Sequence, residues 1–539
     1  MSLFSLFNIG RSALFAAQRA LSVTSHNIAN LNTPGFSRQE VVLEVANSIN
    51  TGDGYAGGGV TVSGTKRYYD RFIQSQLIDQ NQKYGMSSAM NNTLSQIEQI
   101  FNEAKGMGIS QSLMNYFNAW HDVAASPEGN PQRTALLQRA NALVLTAKQM
   151  ERGILDALNG TNREIDDTVN RINSIASNVA ILNGKVVQIE SGLDYEKAND
   201  LRDRRDNLLN ELSTLVEFTS YEDKNGSLTI MVGNRNLTYQ EATNPLSTKI
   251  NEAGYKDLYL DGINITANIN KGQLGGIVSV RDDIETKPLT GIRRVIASLT
   301  KEINALHRSG YGLDASTGND FFNPLQLSTE DYSSGADITA TITDPSQLTL
   351  DEYNISFDSG NNYYVYNKQT GALAASGTYS SGGTIAFNGI EMVITGTITA
   401  TDRFFVSPLT DAAKNFGVSI TDVTKIAAAS SATGLPGENT NAQQIAQLSD
   451  TSITNINNST FMHYYSGLVS SIGTMSRAAS DALKFDENLL SEFNNRRESV
   501  SGVSVDEEAA NLIRFQRSFE AGAKMIKVTD ELLQSILDL

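Results

Sequence analysis

The sequence predicts an α+β chain, mainly α, in which the N- and C-terminal helices pair as a coiled coil, a discontinuous body of long helices lies between them, and a β-rich outer domain is inserted into that body. Three observations carry this. Apolar residues recur every three or four positions at both ends, the helical period fills most of residues 86–220, and the period changes to two from about residue 221.

The first stripe is Leu3, Phe7, Gly10, Leu14, Ala17, Leu21, Thr24 and Ile28; the last is Leu512, Phe515, Phe519, Gly522, Ile526, Thr529, Leu533 and Ile536. Alternating steps of three and four give the period of about 3.5 residues of a coiled-coil seam, a pattern that two ordinary amphipathic helices on a core also show. Charge favours a terminal pair. Residues 1–40 carry Arg11, Arg19 and Arg38 against Glu40, a net of +2, whereas residues 501–539 carry four Lys or Arg and seven Asp or Glu, a net of −3. The last helix has a start signal: Ser504 and Glu507 fit the S-x-x-E capping box, and Asp506, Glu507 and Glu508 suit the positive end of a helix dipole. The large apolar seam residues bury too little surface to offset the ordering of so much backbone. Neighbouring copies are expected to supply the missing burial.

After the first helix, Thr33-Pro34-Gly35-Phe36 reads as a type II turn, with Pro and Gly at its central positions. Val41, Leu43 and Val45 alternate as a strand, and a glycine-rich loop from Gly52 to Gly59 leads to Val60 and Val62. Leu136, Ala140, Leu143, Ala147, Met150, Ile154 and Ala157 form one helical seam; Ile165, Val169, Ile172, Ala176, Val179 and Val186 form a second; Leu201, Leu208, Leu212 and Leu215 form a third. LTIMV, LYLDGINITA, YNISFD, YYVYN, TIAFNG and MVITG read as short strands between Asn, Asp and Gly turns. Helical patterning resumes over 287–307 and from about 411 to 498. The expected domains are residues 1–45 with 501–539 as the terminal coiled coil; 46–85 as turn, strand and extended linker; 86–220 with 276–335 and 411–500 as the helical body; and 221–275 with 336–410 as the β-rich outer domain.

Length and composition agree with several domains. A chain of 539 residues exceeds one hydrophobic core, and 40% hydrophobic with 19% charged residues describes a soluble globular class. A net charge of −17 argues against a nucleic-acid partner, which needs clustered Lys and Arg. The absence of cysteine excludes disulfides and thiolate metal sites. Gly10, Arg11 and Ser12 interrupt the first apolar stretch, unlike a cleaved secretory signal, and no apolar run is long enough to predict membrane insertion.

The chemical motifs take bland readings. Gly52-Asp53-Gly54-Tyr55-Ala56-Gly57 matches G-x-G-x-x-G but leads into a strand, whereas a phosphate cradle must open a helix, so a flexible turn is expected. Ser298 and Lys301 satisfy S-x-x-K on an amphipathic helix without partner motifs. His26, His121, His307 and His463 are scattered singly, which gives zinc no ligand pair. Asp314, Ser316 and Asp320 suggest a calcium loop, but Gly318 is misplaced for an EF-hand and an acidic surface loop is the expectation. No catalytic residue, cofactor or metal is assigned, and no enzymatic activity is expected.

The stretch Ser25-His26-Asn27-Ile28-Ala29-Asn30-Leu31-Asn32-Thr33-Pro34-Gly35-Phe36 resembles the signature of the flagellar rod, hook and hook-associated axial proteins, carried by Asn27, Asn30, Thr33, Pro34, Gly35 and Phe36. The segment from Ser501 to Glu508, continuing to Asn511-Leu512 and Arg514-Phe515-Gln516, is similar to the close of the hook-associated protein 1 family. So are Arg67-Tyr68-Tyr69-Asp70-Arg71-Phe72, Leu201-Arg202-Asp203-Arg204-Arg205-Asp206, Asn304 to Gly310, Asp402 to Pro408 and Gly437 to Ala442. Residues 221–275 and 336–400 match least.

This resemblance implies a structural subunit of the bacterial flagellum at the hook–filament junction, needed for filament assembly and motility. It implies export through the flagellar type III apparatus without a cleaved signal peptide, an extracellular location, and assembly with itself as a ring of about eleven copies. Hook protein below, a second junction protein (hook-associated protein 3) above, and an export chaperone are the implied partners. The subunit contacts are expected at Leu3, Phe7, Leu14, Leu21, Ile28, Leu512, Phe515, Phe519, Ile526, Leu533 and Ile536. The alternatives are a hook or distal-rod subunit, and a secreted adhesin or enzyme whose ends only assemble.

Overall fold

The computed structural model describes residues 3–50, 55–102, 108–191, 197–332 and 335–538. In chain order the elements are α1 (Leu3–Ala29), β1 (Gln39–Val45), β2 (Ile49–Asn50), β3 (Tyr55–Ala56), β4 (Val60–Arg67), α2 (Arg71–Ile100), α3 (Ile109–Ala125), α4 (Asn130–Glu190) and α5 (Asn199–Leu215). Then come β5 (Thr219–Glu222), β6 (Leu228–Val232), β7 (Arg235–Tyr239), β8 (Ala242–Thr243), β9 (Ser247–Ile250), β10 (Lys256–Leu260), β11 (Ile263–Asn264), α6 (Gly272–Ile284) and α7 (Thr290–Ser309). The remainder is β12 (Ser328–Asp331), β13 (Ala336–Ile342), β14 (Tyr353–Phe357), β15 (Asn362–Asn367), β16 (Leu373–Thr378), β17 (Thr384–Phe387), β18 (Ile390–Gly396), β19 (Arg403–Ser407), α8 (Ala412–Asn415), α9 (Thr440–Gln447), α10 (Phe461–Ser501) and α11 (Val505–Leu537). This is the mainly helical α+β chain expected.

Two compact units result. The first is built from residues 1–90, 163–278 and 480–539, the second from 91–162 and 279–479; α2, α4, α6 and α10 contribute residues to both.

In the first unit, α1 lies against α11 and against the β1–β4 hairpin, which pairs antiparallel from Gln39↔Arg67 to Val45↔Val60. Its main core stacks the apolar stripe of α4 (Ile165, Val169, Ile172, Ala176, Val179) and Leu209, Leu212 and Leu215 of α5 onto two small antiparallel sheets, ordered β5-β6-β7-β8 and β11-β10-β9. Ile230, Val232, Leu237, Leu258 and Leu260 supply the sheet side of that core and are fully buried.

In the second unit, sheets ordered β12-β19-β14-β15-β16 and β13-β18-β17 enclose a separate core, including Ile355, Val365, Ile385, Met392, Ile394, Phe404 and Val406. Alternation of buried and exposed residues along β13, β14, β17 and β18 places that core on one face of each strand. A second cluster is aromatic: Tyr116 and Trp120 of α3 meet Phe321 and Phe322, with ring centroids 5.4 to 5.9 Å apart.

Three details differ from the sequence reading. The seams over 136–157 and 165–186 belong to one helix of 61 residues, which passes through Gly160 unbroken. Residues 411–460 are mostly turns around two short helices, because Gly417, Gly434, Pro436 and Gly437 interrupt the apolar period. The strands of 219–264 and of 328–407, grouped above as one β-rich outer domain, sit in different units around different cores. A period of two tells which residues face a core, but not which core. Helix α7, beginning at Thr290, forms close to the expected stretch and is joined to α6 through a π-turn over Glu285–Leu289, where Pro288 has no N–H to offer the ladder. The turn Thr33–Phe36 forms as read: the Phe36 N–H donates to Thr33 O at 3.2 Å and Gly35 has φ +76°. The first half of the Gly52–Gly57 motif, residues 52–54, lies outside the described residues.

Candidate assembly interface

Helices α1 and α11 run antiparallel. A Cβ added to Gly10 would lie 3.2 Å from Ile526 Cγ1, and one added to Gly522 would lie 3.3 Å from the Leu14 nitrogen, while Asn27 reaches Glu508 at the other end of the pair. The two heptad positions are unequal. One carries Gly10, Ala17 and Thr24 on α1 and Gly522 and Thr529 on α11, all buried, with the half-buried Leu3 and Phe515 at the same position toward the helix starts. The other carries Leu14, Leu21, Phe519, Ile526 and Leu533, all half-buried. Small residues let the backbones approach closely, and the large ones then flank the contact instead of filling it.

A polar clasp closes one end. Asn27 Nδ2 donates to Gln39 O at 2.8 Å and to Glu508 Oε2 at 3.1 Å, while the Gln39 N–H donates to Asn27 Oδ1 at 3.0 Å. Arg38 donates through Nε to Glu508 Oε1 at 2.7 Å and approaches Glu507 at 3.1 Å. Burial alone would lower the pKa of the Arg38 guanidinium, but Glu508 and then Glu507 outweigh it and raise it. Ser504 caps α11, accepting the Glu507 N–H at 3.5 Å. The capping signal read in the sequence is thus in place, with the Glu507 side chain turned to Arg38.

The turn after α1 is moored to α5. Asp203 accepts the Ser37 N–H at 2.9 Å and its hydroxyl at 2.8 Å, and takes Arg67 Nη1 at 2.6 Å; Asp206 takes the same nitrogen at 2.7 Å. Gln39 Nε2 donates to Asp200 at 2.7 Å, and Asn207 Nδ2 donates to Pro34 O at 3.1 Å. Gly35 is required twice, by its positive φ and because a Cβ would lie 1.7 Å from Asn207 Oδ1. Thr33 Oγ1 donates to Asn30 Oδ1 at 3.1 Å, and the Phe36 ring meets His26 edge-on at 5.4 Å. Every member of the motif Asn27, Asn30, Thr33, Pro34, Gly35 and Phe36 therefore has a part in fixing the exit from α1.

Of the contact residues expected from sequence, Leu3, Phe7, Leu14, Leu21, Leu512, Phe515, Phe519, Ile526 and Leu533 are half-buried within the single chain. Ile28 and Ile536 are exposed, the latter because the antiparallel register carries it beyond the start of α1. The seam reading missed a second face. Phe4 and Phe15 on α1 and Ile513, Val528 and Leu532 on α11 are 47–71% exposed, apolar surface that no described residue covers. Its signal was present as an apolar residue next to each of Leu3, Leu14, Leu512, Thr529 and Leu533.

The chemical candidates stay bland. Ser298 is buried and Lys301 Nζ donates to Leu348 O at 2.6 Å. His307 Nδ1 donates to Asn319 O at 2.7 Å and Nε2 accepts the Ala427 N–H at 2.9 Å. Asp314 closes its own turn onto Ser316, and Asp320 pairs with Arg308 at 2.6 Å. Among the described residues no group of three His, Cys, Asp or Glu could hold a metal ion, and no helix is long and apolar enough to cross a membrane.

Family models match four stretches: the flagellar hook-associated protein FlgK helical domain over residues 94–322, the D2-like domain of flagellar hook-associated protein 1 over 327–408, the flagella basal body rod protein over 7–36, and the C-terminal region of the flagellar basal body rod FlgEFG proteins over 497–539. Flagellar hook-associated protein 1 of Escherichia coli K12 is 29% identical over 99% of this chain and 100% of its own length. Its counterpart from Bacillus subtilis is 26% identical over 100% of this chain and 98% of its own. The solved flagellar hook junction protein FlgK from Burkholderia pseudomallei shares the fold, with a TM-score of 0.67, 17% identity, and coverage of 79% of this chain and 100% of that one. The chain belongs to the flagellar hook-associated protein 1 family.

Proposed function

We propose that the chain is a structural subunit of the bacterial flagellum, forming the junction between hook and filament, and that α1 and α11 are its assembly element. The observation that carries this is the exposed apolar face (Phe4, Phe15, Ile513, Val528 and Leu532) of a helix pair that is joined by the glycine contact and clasped at one end by Asn27, Arg38 and Glu508. A surface of this kind is stable in water only when a neighbour covers it. Residues 1–45 with 501–539 then form the inner tube, residues 46–85 link it to the body, and residues 86–220, 276–335 and 411–500 with their two β layers face outward. The half-buried seam residues hold the pair together, and the outer face meets neighbouring copies, hook protein on one side and the second junction protein on the other. Export through the flagellar type III apparatus, assisted by a chaperone and without a cleaved signal, delivers a subunit that works by packing and not by catalysis.

Antibody labelling of flagella viewed by electron microscopy tests this reading. One band at the hook–filament boundary is expected. Label along the whole hook or in the rod would replace it with a hook or rod subunit, and label absent from the axis would replace it with a secreted protein of another kind.

A further inference from the structure

A cleft of about 850 Å³ opens in the first unit among the end of β4, the start of α2, the end of α4, α5 and the β5–β6 hairpin. That lies within the range of ligand sites, about 300–1,000 Å³. Its lining is cationic in a chain whose net charge is −17.

Glu190 and Glu222 between them serve three cations. Arg202 donates to Glu190 at 2.6 and 2.9 Å and to Glu222 at 2.8 and 3.0 Å; Arg205 Nη2 donates to Glu222 at 2.7 Å; Lys197 reaches Glu190 at 3.3 Å. The other lining carboxylates are occupied, Asp206 by Arg67 and Asp223 by the N–H groups of Asn225 and Ser227. Arg205 is 1% exposed; its Nη1 donates to Asn183 Oδ1 at 3.1 Å and to Gly226 O at 2.7 Å, yet its Nε finds no acceptor among the described residues. At the rim, Arg71 and Lys224 are exposed and form no ion pair with another described residue.

A purely structural network joining α4, α5 and the hairpin requires neither surplus cations nor open space. Arg202 is fully paired, but a buried guanidinium N–H left over on Arg205, beside rim cations without ion pairs among the described residues, selects oxyanions, whose oxygens match the fork geometry and gain most where water is excluded. We propose that this cleft binds a ligand carrying two or more oxyanion groups, with Arg202 and Arg205 at its floor and Arg71 and Lys224 at its rim. The chemistry is shared by an acidic peptide segment and by a free multivalent oxyanion. The proposal is independent of where the chain sits in the flagellum.

Titration calorimetry on the full-length monomer tests it with three probes: citrate, inorganic pyrophosphate, and a peptide rich in Asp and Glu, against a Gln/Asn peptide of the same length. At least one anionic probe is expected to bind, more weakly as salt is raised. The paired change Arg71→Glu with Lys224→Glu should weaken it at least about tenfold at unchanged thermal stability. The pair Arg152→Glu with Lys185→Glu, at exposed positions outside the cleft, should leave it unchanged. Binding of the acidic peptide but not of the small anions identifies a protein segment as the source; the reverse identifies a free oxyanion. No binding of any probe at about 1 mM, or binding that survives the double reversal at the rim, overturns the proposal.

Discussion

Asn27 and Glu508 stand 481 positions apart in the chain and share a 3.1 Å hydrogen bond, with each residue 1% exposed. The bond joins α1 to α11 where both meet β1, and Arg38 lies on the other oxygen of the same carboxylate. The terminal pair is therefore tethered at one end. Toward its other end, the described residues of the two helices meet at the Gly10 and Gly522 approach, Ser12 accepts the Val60 N–H at 3.3 Å, and the outer face is bare.

This asymmetry sets a gradient of local stability in the monomer. Amide exchange should be slow around residues 23–45 and 505–512 and fast over 3–14 and 522–537. Glu508→Ala removes a buried charged partner and should cost on the order of 3 kcal/mol, raising exchange across both helices. Glu507→Ala, whose side chain is 63% exposed, should cost less than about 1 kcal/mol. Uniform protection of both helices that survives Glu508→Ala would show that the clasp does not hold the pair.

His307 predicts an acid limit for the second unit. Burial pushes its pKa down to about 4, although the Asn319 carbonyl and Asp320 oppose the shift, and both ring nitrogens are committed to backbone partners. A folded pKa below the ordinary value of about 6.5 means that the unfolded chain takes the proton first. The stabilisation is complete above that value and is lost as pH falls toward 4, by roughly 3 kcal/mol. Trp120, the chain's only tryptophan, has its ring centroid 6.3 Å from that of His307, so its fluorescence in urea titrations reports this unfolding. His307→Gln can keep one donor and one acceptor and should flatten this part of the pH dependence. An equal slope in wild type and variant would remove His307 as its cause.

The second β layer should be separable from assembly. Strand β12 pairs with β19, from Ser328↔Ser407 to Asp331↔Phe404, so a clean excision must take residues 327–408 together and not stop inside the sheet. With a short Gly/Ser linker, this protein should be exported and still support filaments, with at least partial motility. A stable, exported deletion protein that builds no filaments would place this layer in the junction itself.

Local rules made the helix ends, the turn and most strands legible. Ser504 marks the start of α11, Gly35 marks the turn, LTIMV forms a strand as read, and YNISF alternates between buried and more exposed positions. What stayed hidden depends on contacts far apart in sequence. Ser37 meets Asp203 across 166 positions, and no spacing rule links them. The Asp residues of Leu201-Arg202-Asp203-Arg204-Arg205-Asp206 carry no local sign of burial, yet Asp203 is buried beneath the turn. Leu136 to Ala157 and Ile165 to Val186 read as two separate seams, but α4 carries Gly160 between them, since one glycine costs only about 1 kcal/mol in a helix packed along its length. At the interface, heptad counting found the residues that hold the pair and passed over those that face away from it.

The central claim is that the face turned away from the pair carries the subunit contact. Val528 is 54% exposed on α11, so Val528→Asp should leave the monomer's melting temperature and export unchanged. In a neighbour's apolar contact the same carboxylate would be buried without a partner, at a cost of several kcal/mol. Phe519→Asp, at a half-buried seam position, should instead weaken the pair within the monomer as well. The decisive measurement is electron microscopy of cells carrying Val528→Asp, with the culture medium assayed for the released protein. The account predicts complete hooks without filaments and abundant Val528→Asp protein and flagellin in the medium; full-length filaments on swimming cells would contradict it.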